Sequence, residues 1–72
     1  MFKEGDLVEY NKTLYFVITN IDEYHCAICP VSKIDLFGTD KERLVSIVKH
    51  SFTVYKENLK LNESGRLENE NG

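Results

Sequence analysis

An all-β domain of short, hairpin-linked strands is what the sequence predicts, and three observations carry that prediction. Between Gly5 and Lys33, three runs rich in Val, Ile, Leu, Tyr and Phe are separated by closely spaced Asn, Lys, Asp and Glu. Such side chains pack well on a pleated surface, and breaks this close together leave room only for hairpins. The chain of 72 residues is one domain, near the lower limit for folding without staples, and a domain of this size buries only roughly 60% of its unfolded surface. Apolar residues thin out at Leu61, which places the domain at residues 1–60 and a disordered polar tail at 61–72.

Gly5-Asp6 opens the first strand, Leu7 to Tyr10. Asn11-Lys12 makes a tight turn, because Asn tolerates the left-handed backbone that two-residue hairpins need. The second strand, Thr13 to Asn20, is apolar on both sides (Leu14, Phe16 and Ile18 against Tyr15 and Val17), as befits a strand covered on two faces or curled in a barrel. Asp22-Glu23 turns the chain into the third strand, Tyr24 to Val31, with Pro30 near its end because proline donates no ladder hydrogen bond. Ser32 to Arg43 is the longest loop. From Thr39 to His50 two patterns compete. Thr39-Asp40-Lys41-Glu42 has capping-box form, while Leu44 to Val48 reads equally as a buried strand. One helical turn at Asp40 to Arg43 followed by a strand is the reading adopted. Lys49-His50-Ser51 then turns into a last strand, Phe52 to Tyr55, and Lys56 to Leu59 closes as a 3₁₀ turn. Five short strands with tight turns give a small SH3-like barrel. Phe16, Phe37 and Phe52 are assigned to its core and the four tyrosines to a half-buried rim.

The formal charge of −3 argues against a chain that grips nucleic acid through its overall field. Residues 1–59 alone carry 9 acidic and 7 basic side chains, or −2, so no basic domain hides behind an acidic tail. Lys49, His50, Lys56 and Lys60 cluster in the last third and read as a solvated face. No run approaches the roughly 20 apolar residues of a membrane helix, and Met1 to Glu4 leads into Gly5 without a signal-peptide core. A cytoplasmic chain with no membrane partner is expected.

Cys26 and Cys29 have Cys-x-x-Cys spacing, but zinc needs four ligands and no second pair exists. In a strand, residues three apart point to opposite faces, so the two are expected as small apolar packing residues. His25 and His50 read as satisfied or surface histidines. No metal and no cofactor are expected.

Gly5-Asp6-Leu7-Val8, Thr13-Leu14-Tyr15-Phe16-Val17-Ile18-Thr19, Ile28-Cys29-Pro30-Val31-Ser32-Lys33-Ile34 and Thr53-Val54-Tyr55-Lys56-Glu57-Asn58-Leu59 together resemble a shortened member of the MazF/PemK toxin family. The resemblance covers most of residues 5–59. It implies an SH3-like barrel, endoribonuclease activity, a small antitoxin partner and a homodimer. The family's catalytic Arg before the second strand is replaced, since Thr13-Leu14 stands at its Arg-Pro position. Cleavage by 2′-hydroxyl attack wants a fixed cation at the phosphorane, and Lys12 next door is a flexible point charge and not a planar fork. Ser32 matches the family's hydroxyl position. The family's long first loop is reduced to Tyr10-Asn11-Lys12, and its C-terminal helix is missing.

Three functional readings follow. The first is a noncatalytic binding module with a protein partner, its contact residues placed at Tyr10, Lys12, Thr13, Tyr15, Ser32 and Lys33; aromatic faces beside a groove also stack bases, which keeps RNA as a weaker alternative. The second is a degenerate endoribonuclease using Lys12, Ser32 and His50, with His25 as another acid/base candidate. The third is an accessory protein of a phage or mobile element.

Overall fold

The computed structural model describes residues 2–62. Strands β1 (Leu7–Tyr10), β2 (Thr13–Asn20), β3 (His25–Pro30), β4 (Phe52–Tyr55) and β5 (Lys60–Leu61) form one antiparallel sheet in the order β4-β3-β2-β1-β5. Helix α1 (Asp40–His50) lies between β3 and β4, and 3₁₀ turns occupy Val31–Lys33 and Lys56–Asn58. The domain is therefore small and built mostly of strands, with one short helix. β4 and β5 hold the two edges of the sheet. Among the described residues no ladder joins them, so closure into a barrel is not part of the observed pairing.

The first hairpin forms as its sequence requires. Tyr10 pairs with Thr13 across Asn11 and Lys12, whose φ values of 53° and 67° are both left-handed, as a type I′ turn demands. Upstream, Gly5 at φ 90° lets its N–H donate to the Val17 carbonyl (2.7 Å), and Val17 N–H returns a bond to Asp6 (2.9 Å). β2 pairs Val17 with Ile28 and Thr19 with Ala27, so β2 carries one extra residue, a bulge. β5 pairs Val8 with Leu61, and Asn62 N–H donates to the Leu7 carbonyl, carrying the ordered chain just past the expected domain boundary. The rest of the expected tail, 63–72, lies outside the described residues.

The sheet register aligns the core. Val8, Val17, Cys26, Ile28 and Val54 form one buried cluster, with Phe2, Tyr10, Tyr15, Leu59 and Leu61 packed against it. Val17 opposite Ile28 and Cys26 opposite Val54 place these side chains on a common face. The phenylalanines do not form the core that was expected of them. Phe16 is only half-buried, Phe52 is 40% exposed and Phe37 is wholly exposed. In so small a domain the space between the strands suits valine and cysteine, and the larger rings are left at its margins.

The segment from Leu44 to Val48 is helix, not the expected strand. The cap decides it. Thr39 Oγ1 accepts from Glu42 N–H (3.1 Å) while Glu42 Oε1 accepts from Thr39 N–H (2.9 Å), satisfying two otherwise unpaired donors. Asp40 and Glu42 stand in the positive first turn, Lys49 and His50 in the negative last turn. Arg43 bonds Asp40 at 2.7 Å, one turn back. Both places beside β3 are already taken, by β2 and β4, so a strand at Leu44–Val48 has no partner there. Among the described residues no helix is long and apolar enough to cross a membrane.

Two stability changes follow. Lys12→Gly relieves a left-handed non-glycine residue and is expected to raise unfolding free energy by about 0.5–1 kcal/mol. Thr39→Ala removes the cap and is expected to cost about 1 kcal/mol, with reduced helical ellipticity. Urea denaturation followed by circular dichroism measures both.

Candidate binding surfaces

Three regions of the fold gather side chains able to contact a partner. The first lies at the end of the sheet where β1 stops and β2 starts. Tyr10 and Tyr15 meet edge-on with ring centroids 5.8 Å apart, and Phe52 lies 5.6 Å from Tyr15 and 6.1 Å from Tyr10. Tyr15 meets both Tyr10 and Phe52 edge-to-face, a favourable arrangement, while Tyr10 and Phe52 are tilted to one another. Tyr10 and Tyr15, both predicted contact residues, are thus brought together. Lys12 and Thr13 are exposed in and beside the turn that joins them. Tyr15 stands opposite Pro30, so Ser32 and Lys33, exposed in the following 3₁₀ turn, leave the sheet at the same end. The third ring, Phe52, was assigned to the core; its meeting with Tyr15 depends on the β3–β4 register, which no local pattern reveals.

His50 stands apart from this group in role. It is the last residue of α1 and lines a groove of about 520 Å³ with Lys41, Glu42, Val45, Ser46 and Lys49. No hydrogen bond or ion pair among the described residues links Lys12, Ser32 and His50 to one another.

The second region is the outer face of α1. Residues that share a helix face recur at three and four. Arg43, Ser46, Ile47 and His50 follow that spacing and are half-buried, so they form the inward stripe. Leu44, Val45 and Val48 form the outward one, at 60%, 55% and 71% exposure. The usual order is reversed: three of the four inward residues are polar and the outward ones are aliphatic. No residue of α1 is fully buried. Just upstream, Leu36 and Phe37 also stand in solvent. The sequence carried the signal for this stripe in its helical spacing, but aliphatic residues in a periodic run are ordinarily read as core.

The third region is the opposite end of the β3–β4 ladder, and none of its residues was among the predicted contacts except His25, a candidate acid/base group. Asp22 organises the turn before β3, accepting from Tyr24 N–H and His25 N–H at 2.8 Å each and standing 2.9 Å from His25 Nδ1. The His25 bond and these backbone donors hold the Asp22 carboxyl below its ordinary 3.8. The His25 ring lies 4.5 Å from that of Tyr55. A cavity of about 360 Å³ opens alongside, lined by Glu23, Tyr24, Tyr55, Lys56 and Glu57.

Both cysteines are free and fully buried. Cys26 joins the core cluster, whereas Cys29 is buried outside it. Burial raises both thiols, offset in part by the Lys56 charge at Cys26 and by the Ser51 hydroxyl at Cys29. Each therefore stays protonated and weakly nucleophilic at neutral pH. The described residues contain no group of three His, Cys, Asp or Glu side chains placed to hold a metal ion.

Comparison with protein-family models, curated proteins and solved structures found no match for this chain.

Asp22 makes stability depend on pH with a definite sign. Its carboxyl binds a proton less tightly in the folded state than in the unfolded one, so its contribution is complete above the unfolded value and is lost as pH falls through the depressed folded value, below 3.8. Denaturation midpoints measured from about pH 5 to pH 2 are expected to fall less steeply for Asp22→Asn than for the wild-type chain.

Proposed function

We propose that this chain is a noncatalytic binding module whose partner is a protein, contacted through the outer face of α1. The reversed stripe of that helix carries the reading. An isolated helix of eleven residues is marginal in water, and helices in proteins are ordinarily held by burying an apolar face. Here Leu44, Val45 and Val48 face solvent. A protein partner that covers them supplies the burial that the domain itself does not. Each aliphatic side chain so covered contributes about 1.5–3 kcal/mol before the costs of association. Lys41, Glu42 and Lys49 border the stripe and give it a charged rim.

The Tyr10–Tyr15–Phe52 group supports the same class of function as a second contact area. Its two tyrosine rings are amphipathic, and the group sits beside exposed Lys12 and Thr13. The acidic balance of the chain favours a protein over RNA as partner.

Leu44→Lys combined with Val48→Lys tests the reading. Both side chains are exposed, so the unfolding midpoint is expected to stay within about 0.5 kcal/mol of wild type. A protein retained from host extract by the wild-type chain is expected to be lost by the double variant. Equal retention by both chains overturns the assignment to α1. Cleavage of RNA by the purified chain, reduced by Lys12→Ala or Ser32→Ala, overturns the noncatalytic reading in favour of a ribonuclease.

A further inference from the structure

The cavity between residues 22–24 and 55–57 brings aromatic rings and carboxylates together. Ring and backbone contacts hold its lining residues in place. His25 and Tyr55 are ladder partners, their rings lie 4.5 Å apart, and Lys56 N–H donates to the Tyr24 carbonyl at 2.8 Å. Asp22 in turn holds the His25 ring. Tyr24 and Tyr55 are 65% and 54% exposed, so both present aromatic surface to solvent, Tyr55 with His25 packed against its ring. Glu23 and Glu57 line the same cavity, and neither has an ion-pair partner among the described residues.

Two tyrosines and two carboxylates around about 360 Å³ set the ligand chemistry. A ring face attracts a cation through its quadrupole, and nearby carboxylates add direct charge attraction. An anion would meet two carboxylates against the single Lys56. A neutral aliphatic group would fill the space while leaving the charge unused. We infer that this cavity binds an alkylammonium or guanidinium group, of the kind a lysine or arginine side chain presents. The site lies at the other end of the β3–β4 ladder from Phe52 and does not depend on the role proposed for α1.

Titration of the full chain with Nα-acetyl-lysine methylamide and Nα-acetyl-arginine methylamide, followed by amide NMR, tests the inference. Saturable shifts confined to Asp22–His25 and Tyr55–Glu57 are expected, with no comparable response to the neutral norleucine analogue or to inorganic phosphate. Glu23→Gln with Glu57→Gln is expected to weaken binding about tenfold and to reduce its salt sensitivity. Tyr24→Ala, at an exposed ring, is expected to weaken it about threefold or more while leaving the core resonances in place. Equal shifts from the norleucine analogue, tighter binding of phosphate, absence of saturable shifts, or unchanged affinity in both variants would overturn it.

Discussion

Strand β3 is hydrogen-bonded on both sides, to β2 and to β4, with Cys26 and Ile28 buried on one face of the sheet and Cys29 on the other. Cys26 and Ile28 enter the core cluster, while Cys29 is fully buried outside it. A strand so placed needs small or branched apolar residues throughout, and Cys-Ala-Ile-Cys supplies them. Both ends of the β3–β4 ladder, and the excursion that contains α1, depend on it. Its pairing with β4 brings Phe52 to Tyr15 at one end and Tyr55 to His25 at the other. Its C-terminal end, at Pro30, launches the connection that contains α1.

What could be read from the sequence depended on how local its cause was. The bounds of Leu7–Tyr10, Thr13–Asn20 and Phe52–Tyr55 follow from β-forming runs cut by turn residues, and the Asn11-Lys12 turn follows from the short break between two of them. From Leu44 onward the sequence points the wrong way for α1, because Val45, Ile47 and Val48 suggest a strand when taken by composition. β propensity is a statement about fitting a pleated surface, and no place beside β3 was open for these residues to fit. The Thr39–Glu42 cap, visible in the sequence, carried more weight than their branching. β5 has only two residues, too few for any pattern, and exists because Leu61 meets Val8.

The binding surfaces divide along the same line. Tyr10 and Tyr15 are close in sequence and flank a tight turn, so their meeting was legible. Phe52 joins them through a register set by distant residues. The outward position of Leu44 and Val48 could not be inferred from hydrophobicity, which ordinarily signals burial. The Tyr24–Tyr55 cavity needed two turns more than thirty residues apart to be tied together by the Lys56–Tyr24 bond. The two outlying regions also differ in physical character. The α1 face exposes aliphatic surface, which water exclusion governs, whereas the cavity gathers charge, which salt screens.

The connection from Val31 to Ser51 leaves and re-enters the sheet at two strands that are already paired, and none of its residues is fully buried. The core cluster therefore draws no residue from that segment, whose inward stripe packs beside β3, and closing a longer or shorter excursion costs little extra entropy. Substitutions at its exposed positions disturb the core little, while those in the strands act on it directly. A fold organised this way can vary the exposed surface of one long excursion without having to solve its folding problem again.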